Sequence, residues 1–250
     1  MRFIIILLLL PVSVLVAAQP AADTIRPGNL DMKYLPRGKQ NYLVYIVAKD
    51  GSKKSIWLWE RSCRIEQWQG KAAVVVRQQW TSSDTGFNRR ELWSVNDPKD
   101  FTAVYHFSNN PKTGIEAYHF TPASVFADDT VGGNTRKGFR IPLDEPSLNW
   151  ELDLETFPLL PLQNGKSFLL NFYHPGSKTP ASWYRYTVTG TEILPLPGGN
   201  QVECFKLFTD YGNNRGNSTW WISRQTHEVL KMEEHFGPVT RYKIRLSVGE

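Results

Sequence analysis

Cysteine, helical periodicity and catalytic signatures are all scarce in this chain of 250 residues, and each scarcity removes a class of protein. Cys63 and Cys204 are the only two cysteines, so the Cys-x-x-Cys and Cys/His spacings of zinc or redox sites are missing. Beyond the N-terminal apolar run, no stretch repeats its apolar residues every 3.6 positions over more than about ten residues, so helix should be scarce. Nucleophile elbow, P-loop, dinucleotide fingerprint, zinc-protease helix and calcium-loop spacings are all lacking, and no cofactor is expected. Basic residues outnumber acidic ones to give a net charge of +5, yet they are scattered along the chain rather than clustered, which argues against nucleic acid as a partner.

What is present begins with an export signal. One positive charge at Arg2, a short apolar run and small residues at Val16 and Ala18 mark residues 1–18 as a signal peptide cleaved after Ala18, which predicts a periplasmic or secreted protein with no membrane span once it is removed. No cysteine follows that run, so a lipoprotein anchor is not expected. Residues 19–40, rich in Pro, Gly and charge, read as a leader. A β half over 41–126, a Gly- and Asp-rich boundary over 127–148 and a second β half over 149–250 complete the organisation.

Period-2 alternation dominates both halves. Tyr42 to Ala48 is continuously apolar, and Asp50-Gly51 turns it into Ser55 to Glu60. Phe101, Tyr105 and Phe107 alternate with polar neighbours, and a turn at Asn109 to Gly114 leads back through Ile115 to Thr121. With Asn110 opposite Ile115, His106 faces His119 across the hairpin. Trp150, Leu152 and Leu154 alternate with Glu151, Asp153 and Glu155, the pattern of a strand whose carboxylates share one face. At the end of the chain Tyr242, Ile244, Leu246 and Val248 form an oily face and Arg241, Lys243 and Arg245 a charged one. The fold class is therefore all-β: a strongly curved antiparallel meander, an open or half-barrel. Trp93 and His106-Phe107 of the first half echo Trp220-Trp221 and His235-Phe236 of the second, so the two halves are expected to be similar.

Four runs, Tyr186 to Glu192, Val202 to Leu207, Thr219 to Ser223 and Val229 to Glu233, resemble exported bacterial proteins of the domain-of-unknown-function 3108 family. The resemblance covers Trp150 to Leu246. It implies a curved sheet or open barrel similar in outline to periplasmic lipoprotein carriers, and it brings no catalytic residues with it.

Several groups are candidates for chemistry, each with a plainer alternative. His106 and His119 could share a metal ion, or lie on a solvent face. Glu151 and Asp153 could act as acid and base on a glycosidic bond, or be solvated. Asp128 and Asp129 could serve a calcium ion, or simply turn the chain. Cys63 and Cys204 could form a disulfide that export permits, or remain two buried thiols. Nine tryptophans are many for one core, and on a curved sheet Trp57, Trp183 and Trp220 are the candidates to line an apolar cavity for an acyl chain or to stack on sugar rings. The expected function is a non-enzymatic scaffold for a lipidic or glycan ligand or an envelope protein, the alternative a polysaccharide hydrolase. A third reading makes Arg241 to Val248 an exposed edge for strand pairing.

Overall fold

Half-buried alternation requires one oily side to be covered, and the chain covers it by coiling a single sheet around itself. The computed structural model describes residues 21–26, 28–83 and 89–246. The expected signal peptide, part of the loop before Arg89 and the expected strand position Val248 lie outside the described residues.

The N-terminal strands are β1 (Ala22–Ile25), β2 (Gly38–Ala48), β3 (Lys53–Trp68), β4 (Lys71–Ser82), β5 (Arg89–Asn96), β6 (Ala103–Asn110), β7 (Gly114–Thr121), β8 (Ser124–Ala127), β9 (Arg140–Pro142) and β10 (Leu148–Asn149). The others are β11 (Ser167–Tyr173), β12 (Ser182–Pro195), β13 (Gln201–Asp210), β14 (Asn217–Ser223), β15 (Val229–Phe236) and β16 (Val239–Leu246). They form one sheet in the order β1-β11-β12-β13-β14-β15-β16-β2-β3-β4-β5-β6-β7-β8-β9, with β10 also paired to β11. Only β1 and β10 run parallel to their neighbour, β11.

The two halves are thus joined through β16 and β2, where Leu246 pairs with Asn41 and Val239 with Ala48. β16 is interior, not an exposed edge. The true edges are short: β9 has three residues and ends in Pro142, and β1 and β10 cover the other edge end to end along β11. Short and proline-bearing edges resist pairing with other chains.

The sheet is not closed by a hydrogen-bonded ladder. Side chains bridge the seam instead. Tyr118, Phe120, Val125 and Ile141 pack with Tyr173 of β11, and Arg136 donates to the Gly176 carbonyl and to the Tyr118 hydroxyl.

Inside the curve lies the only α-helix among the described residues, set between two 3₁₀ turns. Residues 150–159 form a 3₁₀ turn (Trp150–Leu152), a four-residue helix α1 (Asp153–Thr156) and a second 3₁₀ turn (Phe157–Leu159), where alternation had predicted a strand. Leu152, Leu154, Phe157, Leu159 and Leu160 are at most 1% exposed and pack with Tyr42, Trp59, Val74, Phe172, Tyr186, Leu207 and Trp220 of the surrounding strands. A helical turn covered on every side has no polar face, so its sequence carries no helical period to detect.

Candidate functional site

The plug at 150–159 carries its own charges into the interior, and the sheet answers each one. Arg61 of β3 donates from Nε to Glu155 Oε1 at 2.9 Å and from Nη2 to Glu155 Oε2, a two-pronged pair 1% exposed on both sides. Its Nη1 donates to Gln78 Oε1 at 2.6 Å and its Nη2 to the Glu151 carbonyl at 3.2 Å. Arg90 of β5 holds the Glu151 carboxylate at 2.8 Å. Lys243 of β16 holds Asp153 at 2.6 Å, its ammonium 4.8 Å from the ring centroids of both Trp59 and Trp220. Burial opposes ionisation of Glu151, yet Arg90 pulls its carboxyl down to about 2. Burial likewise pushes the Lys243 ammonium down, with Asp153 opposing. Glu151, Asp153 and Glu155 therefore anchor the plug rather than forming a solvated face or a hydrolytic pair.

The same contacts reverse the expected polarity of β16. Arg241 and Lys243 point inward to Glu234 and Asp153, so Tyr242 and Ile244 alternate to the outer face. Sequence reasoning missed Arg61, Arg90 and Lys243 as the partners of the three carboxylates. The available signal was Arg61 in phase with the apolar Trp59 and Cys63, a cation at a core position.

The predicted histidine pair does not form. Asn110 pairs with Gly114, not Ile115, so His106 faces Tyr118 and His119 faces Tyr105. A register slip of one residue moves every side chain to the other face of its strand. His106 turns inward, 1% exposed, with Nδ1 2.8 Å from Ser94 Oγ and 3.2 Å from Asn149 Nδ2. Asn149 in turn accepts from the Glu151 amide and caps the first turn of the plug. Burial lowers His106 to about 4. A Ser, His and Asn in contact invite comparison with a nucleophile and its base, but Ser94 is 0% exposed and no substrate atom can reach it. His119 lies on the outer face, 3.3 Å from Asp128. Asp128 also accepts from Thr130 and Tyr105, and Asp129 accepts from the Gly138 amide, so both serve the turn. Among the described residues no three His, Cys, Asp or Glu side chains gather where they could hold a metal ion.

The remaining candidates separate as well. Trp220 is 3% exposed in the core, Trp57 is half-buried at its margin and Trp183 is exposed beneath Arg26. The void beside Trp220 and the plug measures about 10 Å³, about the room of one water. Cys63 and Cys204 are free and buried. Cys63 belongs to the inner cluster together with Phe205, so Cys204, next to Phe205 on β13, faces the other side of the sheet. Burial pushes their thiols up to about 12 and about 11.

With the interior filled, open chemistry lies on the outer face of β2 to β7. The strand register arranges it in rows about 4.8 Å apart from strand to strand. One row reads Asn41, Glu60, Gln79, Glu91 and Asn109, five polar side chains from β2, β3, β4, β5 and β6. The next reads Lys39, Ser62, Arg77, Trp93 and Phe107. A third contains Val75, Val95, Tyr105, His119 and Phe126. Asn41, Glu60, Gln79 and Glu91 of the first row and all five residues of the second line a groove of about 570 Å³. Trp93 and Phe107 form its aromatic wall, their ring centroids 5.9 Å apart, and Trp68 and Tyr105 support Trp93 from behind at 5.1 and 5.0 Å. Gln79 sits between the two carboxylates, donating to Glu60 Oε2 at 3.4 Å and accepting from Arg89, which also pairs with Glu91.

The sequence matches the DUF3108 family, described as proteins of unknown function, over residues 41–245. The chain belongs to that family. The match takes in both β halves of this DUF3108 protein, more than the C-terminal resemblance alone. Among curated proteins none matches in sequence. Of the solved structures it is similar to, a β-barrel-like DUF1849 protein from Brucella abortus shares 10% identity at a TM-score of 0.48, covering 86% of this chain and 99% of that one. A Bacteroides fragilis protein with a YmcC-like fold shares 8% identity at a TM-score of 0.35, covering 90% and 100%. A DUF1329 protein from Desulfovibrio piger shares 8% at 0.29, covering 86% and 87%. No helix among the described residues of the DUF3108 chain is long and apolar enough to cross a membrane.

Proposed function

We propose that this DUF3108 protein is an exported, non-catalytic binding protein that holds an extended glycan chain in the groove on its outer face. One observation carries the reading: Asn41, Glu60, Gln79 and Glu91, in register across four strands, lie in the groove beside a row that ends in Trp93 and Phe107. Sugar rings present hydroxyls at their edges and C–H surface on their faces. A row of amides and carboxylates beside an aromatic wall offers partners for both, within a groove large enough for a small ligand. The filled interior favours this site over an acyl-chain cavity. Gln79 lies between Glu60 and Glu91 in the groove and donates to Glu60, while Arg89 pairs with Glu91, and carboxylates so engaged support binding without turnover. Export rests on the N-terminal run.

The test is an array of bacterial envelope oligosaccharides followed by calorimetry. Trp93→Ala and Gln79→Ala are each expected to weaken binding by about tenfold to a hundredfold, the equivalent of about 1–3 kcal/mol, with no reducing ends released on long incubation. Binding that ignores both substitutions, or steady release of reducing sugar, sinks the reading.

A further inference from the structure

Beside the groove, and distinct from it, the outer face carries two apolar rows. Tyr242, Tyr45 and Ile56 pair across β16, β2 and β3, and Ile244, Leu43 and Leu58 pair across the same strands. Ile56 is 44% and Leu58 37% exposed, and the Tyr45 and Tyr242 rings stack with centroids 5.0 Å apart. This is the side of β16 that sequence patterning assigned to the core. It faces outward because Glu234 of β15 and Asp153 of the plug draw Arg241 and Lys243 in the other direction. At one end of the patch the β2–β3 hairpin projects Lys49, Lys53 and Lys54. None of these three takes part in an ion pair among the described residues. The hairpin's one acid, Asp50, is engaged by the Ser52 amide and hydroxyl. Glu233, beside the tyrosines, is paired with Lys231 and His235.

We propose that the outer face of β16, β2 and β3 is a docking surface for an anionic lipid membrane. Aliphatic and tyrosine side chains flanked by unpaired lysines have the composition of surfaces that lie in the headgroup region, with apolar groups at the acyl boundary and ammonium groups on the lipid phosphates. The lysine-tipped hairpin at the end of the apolar rows supplies the positive charge that complements anionic headgroups. The inference is independent of the glycan groove. It needs no bound saccharide and uses none of the groove's residues.

The experiment is flotation of the mature protein with vesicles of phosphatidylglycerol and phosphatidylcholine, against phosphatidylcholine alone, at low and high salt. The wild type is expected to float with the anionic vesicles, weakly with neutral ones, and less at high salt. Ile56→Ser with Leu58→Ser, and separately Lys53→Glu with Lys54→Glu, are expected to lower the partition coefficient at least about tenfold while melting as the wild type does. All four positions are exposed or at the surface, so a folded protein is retained for comparison. No flotation with anionic vesicles overturns the proposal. So does flotation unchanged in both double variants, or a dimer in sedimentation velocity that the Ile56 and Leu58 changes dissolve while vesicle binding stays absent.

Discussion

Arg61 and Glu155 concentrate the interior's electrostatic demands in one pair, because both side chains are 1% exposed and, among the described residues, the guanidinium's other partners are Gln78 and the Glu151 carbonyl. Removing one member leaves the other charged and buried. Glu155→Ala and Arg61→Ala are each expected to cost about 3–5 kcal/mol in urea unfolding. Arg61→Met combined with Glu155→Leu should recover most of that loss, since apolar isosteres often replace a buried pair without penalty. A double variant as unstable as either single one would show that the pair does more than cancel charge. Nothing in the sequence around Arg61 pairs it with Glu155, 94 positions away. A cation in phase with Trp59 and Cys63 shows that a partner is required, but only the fold supplies which one.

At the scale of the element, the plug depends on groups that acid unbinds. His106, lowered to about 4 from an ordinary 6.5, stays neutral in the folded protein while the unfolded chain takes up a proton below about 6.5. Its contribution is complete above pH 6.5 and is lost as pH falls toward 4, on the order of 3 kcal/mol. Burial lowers His174 and His227 as well, in the same direction. Glu151, held down to about 2, adds stability that is present above about 4.5 and fades between there and 2. The urea midpoint should therefore fall steadily from pH 7 to pH 3, and His106→Gln should flatten the part between 6.5 and 4. A midpoint constant from pH 7 to 4 would contradict the buried, neutral imidazole.

The long strands were legible because each has one wet side. The plug was not, because Trp150, Leu152 and Leu154 satisfy a two-residue alternation by chance while every side of the turn is covered. The groove was illegible for another reason. Asn41, Glu60, Gln79 and Glu91 come from four strands and meet only through register, which a one-residue error at the β6–β7 turn had already misplaced for His106 and His119.

For the whole molecule, the sheet's curvature is held at the seam by a close approach. Gly176 has φ +82, and a Cβ there would stand 2.4 Å from the hydroxyl of Tyr118, which is fully buried and cannot withdraw. Gly176→Ala is expected to cost about 2 kcal/mol or more, a fall of roughly 4–8 °C in Tm. Faster hydrogen exchange in β8 and β9 than in β2 and β3 would locate the damage at the seam, whereas uniform acceleration would mean that the seam does not open separately. The pairing of β2 with β16 has a further consequence, one that concerns time rather than stability. Leu43 finds Ile244 about 200 residues later in the chain. A chain delivered from its N-terminus must hold β2 with an open edge until its last strand emerges, and only then can Lys243 reach Asp153 and lock the interior. The folding rate of the protein should therefore be set by this one late encounter.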